Sequence, residues 1–151
     1  MRILLAIDDS KYSEAAVQAI VQQMRPEVSE VCILHVVKPL LIIPRSYIGR
    51  VETLEAAQQE RMEEGKELVG RTGQLLSQAG FKVHADVEEG DPRTAIIDYA
   101  ARWQADLIIM GSHGKTGLDK LLLGSVSEAV IRHAHCSVEV VRDSSPKVYP
   151  L

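Results

Sequence analysis

Short apolar runs alternate with longer helix-forming segments along the whole chain of 151 residues. Runs at residues 3–7, 31–37 and 106–110 are almost entirely apolar, as expected of strands that are buried on both faces. Runs at residues 81–87 and 138–141 alternate apolar with polar residues, as half-exposed strands do. Strands that alternate with helices predict an α/β fold with one doubly wound, five-stranded parallel sheet and helices on both faces. Placing the alternating strands at the edges fits the strand order 3-2-1-4-5.

Helix start and stop signals lie between these runs. Ser10 and Asp91 are suitable N-caps, and Pro92 suits the first helical turn after Asp91. Gly80 is a natural stop for a long segment rich in Glu, Gln, Ala and Leu, in which three internal glycines allow a bend or a break. We therefore expect helices over residues 11–24, 53–79 and 92–103, with a proline-containing loop over residues 38–50.

The composition is that of an ordinary globular protein, with 46% hydrophobic and 25% charged residues. We expect a single domain spanning residues 1–151. A formal net charge of −4 argues against a nucleic-acid partner. No apolar run reaches the roughly 18 residues of a membrane span, and the first residues are typical of a strand rather than a signal peptide. Cys32 and Cys136 are expected to be buried free thiols of a cytoplasmic protein.

The stretch from Met110 to Val130 carries the strongest functional signal. A buried strand is followed by a glycine-containing polar loop, and then by Ser125 and Glu128, which form a capping box at the start of a helix. Glycines allow a close approach of the backbone and positive φ angles, and a helix N-terminus favours anions. This combination predicts a phosphate site, although the same residues can serve only as a turn and a cap.

Two familiar phosphate loops are absent from this stretch. Gly114-Lys115-Thr116 resembles the end of a Walker A loop, but Ile109 stands where that loop needs a glycine. The glycine spacing also differs from the G-x-G-x-x-G pattern of dinucleotide-binding folds. Neither pattern therefore explains the loop.

The predicted topology gives the loop a specific location. In the order 3-2-1-4-5 the direction of winding reverses between the first and fourth strands, and ligands bind such sheets outside the strand carboxyl ends at that point. We therefore expect Asp8, after the first strand, to lie beside Gly111, after the fourth. The sequence pattern and the topology thus indicate one ligand site.

The loop has the spacing G-x2-G-x9-G-[ST], formed by Gly111, Gly114, Gly124 and Ser125. Together with the segments Ala6-Ile-Asp-Asp-Ser10 and Leu34-His-Val36, this loop resembles the ATP-binding branch of the universal stress protein family. The resemblance covers essentially the whole chain. It implies the same strand order and a bound ATP, or a related adenine nucleotide, with Mg2+.

The resemblance also implies roles for individual residues. Asp8 and Ser10 occupy the positions of the family's D-x-S pattern, and the backbone of Val36 would hydrogen-bond the adenine edge. Asp9, where many relatives have glycine, adds a negative charge that would raise the need for Mg2+. The residues expected to hold the nucleotide are Ile7, Asp8, Ser10, Val36, Met110, Gly111, Ser112, His113, Gly114, Lys115, Gly124, Ser125, Val126 and Ser127.

Several of these residues also have purely structural interpretations. Asp8 would compensate the charge of a helix N-terminus, Val36 would be a core residue, and Lys115 would be a solvated surface cation. The expected metal is a Mg2+ ion held by the nucleotide phosphates, with a contact from Asp8. No other residue is assigned as a metal ligand. The segment from His133 to Cys136 lacks the second pair of ligands that a zinc site requires.

We interpret the chain as a cytoplasmic, ATP-binding regulatory module of the stress response. No arginine or glutamine can be assigned to phosphoryl transfer, so no catalytic residue is predicted, and slow or partner-stimulated hydrolysis stays open. A homodimer through the exposed edge at Val138–Val141 is expected, and the family commonly dimerises there. The alternatives are a nucleotide-free dimeric scaffold, a receiver-like phosphoacceptor domain at Asp8-Asp9, and an adenylating ATP pyrophosphatase, whose loop is absent.

Overall fold

The computed structural model describes residues 1–40, 51–114 and 123–143, and in these residues it contains one five-stranded parallel sheet. The strand order is β3-β2-β1-β4-β5, and each neighbouring pair is parallel. The predicted fold class and strand order are therefore confirmed. The strands are β1 (Arg2–Ala6), β2 (Glu30–Val37), β3 (Lys82–Glu89), β4 (Leu107–Gly111) and β5 (Ser137–Val141).

In the described ranges, four α-helices lie close to the predicted positions, and they cover both faces of the sheet. One face packs against α1 and α2, and the other packs against α3 and α4. A short 3-10 turn, Pro26–Val28, precedes β2. The helices are α1 (Lys11–Gln23), α2 (Val51–Gln78), α3 (Pro92–Trp103) and α4 (Ser125–His133).

Alternate residues of the central strands supply two separate cores. Ile3 and Leu5 of β1 face α1 and α2, whereas Leu4 faces α3 and α4, and all three side chains are fully buried. Each such side chain contributes about 1.5–3 kcal/mol through burial. Since β1, β2 and β4 are buried on both faces, they lack the alternation seen in the edge strands β3 and β5, as predicted.

Helix α2 runs unbroken through its three glycines, so the break considered from the sequence does not occur. Its glycines lie at different distances from the sheet. A Cβ at Gly65 would lie 2.8 Å from Cδ2 of His35, whereas one at Gly73 would make ordinary contacts with β2 and β3. Gly65 therefore allows close packing of α2 on the sheet, and this packing offsets the low helix propensity of glycine.

The predicted end signals of α1, α2 and α3 are confirmed. The side chains of Ser10 and Asp91 accept hydrogen bonds from the amides of Ser13 and Arg93, and Gly80 has a φ of +94°. Hydrogen bonds from the side chain and backbone of Arg93 also lower the pKa of Asp91 to about 2. The loop predicted over residues 38–50 lies mostly outside the described residues, including positions 41–43 of the Leu40–Ile43 segment.

Among the described residues, no helix is long and apolar enough to cross a membrane. Both cysteines are free, as predicted; Cys32 is buried, but Cys136 is only partly buried. Burial raises the pKa of both thiols, and a hydrogen bond with the Tyr99 hydroxyl at 3.2 Å holds the Cys32 sulfur. These features favour packing roles for the two thiols over nucleophilic ones.

Candidate functional site

An open cleft of about 990 Å3 lies at the carboxyl ends of β1, β2 and β4. It occupies the point where the winding of the sheet reverses between β1 and β4. We refer to this space as the cleft. Among the residues predicted to form a site, it is lined by Ile7, Asp8, Val36, Met110, Gly111, His113, Gly114, Gly124, Ser125, Val126 and Ser127.

Two of the predicted site residues do not line the cleft. Ser10 and Ser112 are buried, with 7% and 2% of their surfaces exposed. Ser10 caps α1, and Ser112 continues the sheet beyond β4 by donating its amide to the Val141 carbonyl at 2.9 Å. Lys115 lies outside the described residues.

Gly111 ends β4 under the first turn of α1. A Cβ at this position would lie 2.6 Å from Cβ of Tyr12, and 2.7 and 2.8 Å from the carbonyl carbon and oxygen of the same residue. Only glycine therefore lets α1 sit this close to β4. The expected positive φ angle is not found at Gly111, Gly114 or Gly124, so close approach is the reason for glycine at position 111.

The two described ends of the glycine loop meet at the edge of the cleft. The amide of Gly124 donates to the Ser112 carbonyl at 2.8 Å. A Cβ at Gly124 would lie 3.2 Å from both that carbonyl oxygen and Cα of His113. This contact fixes the start of α4 directly beside the end of β4.

Helix α4 begins at Ser125, within one residue of the predicted start, but the capping-box prediction is wrong. Gly124 is the N-cap, with φ −65° and ψ 155°, and no side chain caps the helix. Because Ser125 already lies in the first helical turn, its hydroxyl cannot reach an amide of that turn as an N-cap side chain does. Ser125 is instead exposed, at the margin of the cleft.

Ser127 holds α4 against the end of β4. Its hydroxyl lies 2.9 Å from the Gly111 carbonyl and 3.2 Å from the Ser112 carbonyl, and its side chain is buried. The first hydrogen bond inside the helix runs from the Glu128 amide to the Gly124 carbonyl. The preceding amides, of Ser125, Val126 and Ser127, have no partner within the helix and belong to residues that line the cleft. Free amides at a helix N-terminus can donate hydrogen bonds to an anion.

Asp8 is part of the structure that starts α1. Its Oδ1 accepts hydrogen bonds from the Ser10 amide at 3.0 Å and the Ser13 hydroxyl at 2.8 Å, and its own amide donates to that hydroxyl. Its other carboxylate oxygen lies near Gly114, where an added Cβ would be 3.0 Å away. Asp8 thus organises the helix start with one oxygen and lies beside the glycine loop with the other.

His113 forms the part of the glycine loop next to α1. Its ring stacks on Tyr12 at a tilt, with 5.0 Å between the centroids, and its Nδ1 lies 3.0 Å from the Ser112 hydroxyl oxygen. The ring is thereby held at the wall of the cleft.

The wall that α2 contributes to the cleft was not predicted from the sequence. This wall has a mixed charge, and the side chain of Arg61 donates to the Lys38 carbonyl at 2.8 Å. Its residues on α2 recur mostly at intervals of three or four positions, so they lie on one side of the helix, and this spacing is visible in the sequence. The added lining residues from this side are His35, Lys38, Arg61, Glu64, Gly65, Glu67, Leu68 and Arg71.

The described residues contain no group of three or more His, Cys, Asp or Glu side chains placed to hold a metal ion. The segment from His133 to Cys136 is included in that search. The carboxylates of Asp8 and Asp9 remain candidates for a cation that phosphate oxygens would also ligate.

Comparisons with known proteins extend the resemblance to the whole fold. A family model described as the universal stress protein family matches residues 1–142. The chain is 46% identical to Universal stress protein MJ0531 of Methanocaldococcus jannaschii over 80 residues, which span 53% of this chain and about half (47%) of that relative. It is 33% identical to Universal stress protein MJ0577 of the same organism, over 93% of this chain and 94% of that protein.

Solved structures agree with these sequence matches. The structure of MJ0577 has a TM-score of 0.82 and 32% identity, and the match covers 96% of this chain and 97% of that one. A family member from Arabidopsis thaliana with AMP bound has a TM-score of 0.66 at 18% identity, covering 98% and 97%. A universal stress protein in complex with cAMP has a TM-score of 0.68 at 22% identity, covering 96% and 98%. At such identities the last two likenesses concern the fold.

Proposed function

Because the chain belongs to the universal stress protein family, we propose that it binds an adenine nucleotide in the cleft, with ATP and Mg2+ as the ligand. The observation that carries this proposal is the first turn of α4, fixed beside the end of β4 with amides that have no partner inside the helix. Solved family structures with bound AMP and cAMP support the ligand class.

The phosphates would bind between the start of α4 and the end of β4. Amides of Ser125, Val126 and Ser127 would donate to phosphate oxygens, and the positive end of the helix dipole would favour their charge. Mg2+ would offset the repulsion between the phosphates and the carboxylates of Asp8 and Asp9. We also assign Lys115 to the phosphates, as a proposal from the sequence alone.

The base and sugar would occupy the part of the cleft above the end of β2. Val36 is partly buried and lines the cleft there, and its backbone would hydrogen-bond the edge of the base. The cleft volume of about 990 Å3 lies within the range of small-molecule sites. The cleft is therefore large enough to hold a nucleotide.

We assign no catalytic residue and propose a regulatory role in the cytoplasm, in which ATP occupancy alters the protein's interactions under stress. A receiver-like function is disfavoured, because receiver domains have the strand order 2-1-3-4-5 and this chain has 3-2-1-4-5. The Asp8 carboxylate is also engaged by Ser10 and Ser13. We further propose a homodimer through β5, whose outer edge carries no partner strand within the described residues.

The test uses a pair of variants with the same change of charge. Ser125→Glu places a carboxylate where phosphate would bind, and Ile131→Glu adds the same charge on an exposed part of α4 outside the cleft. At about 100 times its dissociation constant, ATP with Mg2+ should stabilise the wild type by roughly 2.7 kcal/mol. We expect Ile131→Glu to keep this stabilisation and Ser125→Glu to lose it, in thermal melts monitored by calorimetry.

An acidic residue in the first turn of a helix favours folding, so Ser125→Glu should not unfold the free protein. A wild-type melting temperature that does not change with millimolar ATP and Mg2+ would contradict the proposal. It would favour the nucleotide-free scaffold instead.

A further inference from the structure

His35 lies near the carboxyl end of β2, on the face of the sheet that α2 covers. Its Nδ1 is 2.8 Å from the carbonyl oxygen of Ile7, the residue that follows β1. A backbone carbonyl can only accept a hydrogen bond, so Nδ1 must carry the hydrogen. In the neutral imidazole, Nε2 is then left with a lone pair and acts as an acceptor.

The ring is held in this orientation from its other side. Gly65 of α2 packs so closely that a Cβ there would lie 2.8 Å from Cδ2 of His35 and 3.2 Å from Cγ1 of Val87. The hydrogen bond to Ile7 and the contact with Gly65 therefore fix both edges of the imidazole. A fixed ring can present Nε2 to a ligand with little loss of side-chain entropy.

Nε2 is accessible from the cleft. His35 is among the lining residues, and no described residue makes a hydrogen bond to its Nε2. In the described part of the chain, Ser29 Oγ is the one side-chain polar atom that is both buried and without a partner. Since Nε2 of His35 has no partner and is not in this class, it is not buried. Nε2 is thus an open acceptor on the α2 side of the cleft, whereas the first turn of α4 offers donors on the opposite side.

We propose that His35 is a specificity-determining residue whose Nε2 accepts a hydrogen bond from the bound nucleotide. The donor is either the amino group of the base or a ribose hydroxyl, both of which share the chemistry that Nε2 requires. This inference rests on the proposed nucleotide function, because it assigns the base-and-sugar end of the ligand to the β2–α2 side of the cleft. Residues at the α4 end would bind the phosphates without distinguishing nucleotides by their bases.

Two substitutions separate ligand recognition from a structural role. His35→Asn keeps a donor near the position of Nδ1 for the Ile7 carbonyl but removes the acceptor at Nε2. His35→Gln places an amide oxygen near Nε2 but loses the donor to Ile7. If Nε2 contacts the ligand, the His35→Asn variant should bind ATP more weakly than the His35→Gln variant. If His35 has only a structural role, the His35→Gln variant should bind ATP more weakly.

Binding of ATP with Mg2+ is measured by titration calorimetry at about pH 8, above the pKa of a free imidazole. We expect His35→Asn to bind ATP about three- to tenfold more weakly than the wild type, as the loss of one hydrogen bond implies. His135→Asn changes an exposed histidine outside the cleft and should bind like the wild type. Melting of each free variant checks that the fold is intact.

Nucleotide analogues then identify the donor. Inosine triphosphate lacks the amino group of adenine, and 2′-deoxy-ATP and 3′-deoxy-ATP each lack one hydroxyl. The analogue without the donor should bind the wild type more weakly than ATP does, and His35→Asn should abolish that difference. The inference is overturned if His35→Asn binds all four nucleotides like the wild type, or weakens all of them equally. If the wild type binds none of them, the proposed function fails as well.

Discussion

At the scale of single residues, the glycines of the cleft serve the protein's own packing. Gly111 faces the backbone of Tyr12, and Gly124 faces Ser112 and His113. The sequence predicted where these glycines lie and a close approach of the backbone, but the positive φ angle also expected of them is not found, and at Gly111 the close approach is to the protein's own helix. The reason depends on how closely α1 approaches β4, and a local sequence pattern does not contain that distance.

Gly111→Ala should destabilise the protein by about 1–3 kcal/mol, because the new methyl group would overlap backbone atoms of Tyr12 that cannot move alone. Gly70→Ala is the matched control, since nothing lies within 4 Å of a Cβ there and the residue is in a helix. It should stabilise the protein by about 0.5–1 kcal/mol. Urea unfolding of both variants measures the difference, and equal effects would contradict our account of Gly111.

At the scale of secondary-structure elements, the alternation of strands and helices was predictable because each element carries its own periodicity and end signals. The start of α4 was predicted to within one residue, but its cap was not. The S-x-x-E pattern at Ser125 suits a capping box, yet the contact of Gly124 with Ser112 makes Gly124 the N-cap. A tertiary contact therefore overrides a local signal at this position.

Alanine substitutions at two serines of α4 test this assignment. Ser125→Ala should change the free energy of unfolding by less than about 0.5 kcal/mol, because this side chain caps nothing. Ser127→Ala should cost about 1–3 kcal/mol, because it removes a buried hydroxyl that lies within hydrogen-bond distance of the carbonyls of Gly111 and Ser112. Chemical denaturation of the two variants distinguishes them, and a larger loss at Ser125 would restore the capping box.

The α2 wall of the cleft shows what an element-by-element analysis misses. Helix α2 was predicted as a helix, but its contribution to the cleft follows from its length and from its close contact with β2 at Gly65. His35 was noted only as part of the Leu34–Val36 segment that resembles the family. A histidine in a strand gives no sign in the sequence of which ring nitrogen is hydrogen-bonded. That information came from the distance between Nδ1 and the Ile7 carbonyl.

At the scale of the whole molecule, the two edges of the sheet differ. The exposed side chains of β3 include Lys82, His84 and Asp86, and charged side chains protect an edge from pairing. Strand β5 is mostly valine and is the edge that we propose for the homodimer. Two chains that pair through β5 would leave only the charged β3 edges outside, so assembly would stop at two subunits.

A proline tests the edge without disturbing the sheet's own hydrogen bonds. The Val141 carbonyl accepts a hydrogen bond from the Ser112 amide, so the backbone groups of Val141 point toward β4. Because backbone groups of successive strand residues alternate in direction, the Val140 amide points away from β4. Val140→Pro removes that outward amide and should give a monomer in sedimentation equilibrium at micromolar concentration. Val140→Ala loses similar side-chain packing but keeps the amide, and should remain a dimer. A monomeric wild type would contradict the proposal.

The contact between Gly111 and Tyr12 has a consequence for how chains of this kind are compared. A descendant that had lost its ligand entirely would still be held to glycine at position 111, because a larger residue there would push α1 off the sheet. Ser125, which is exposed and caps nothing, is under no such internal demand. A substitution at position 125 would therefore be the earlier sign that a chain has lost its ligand. A glycine kept at position 111 is evidence about the architecture alone.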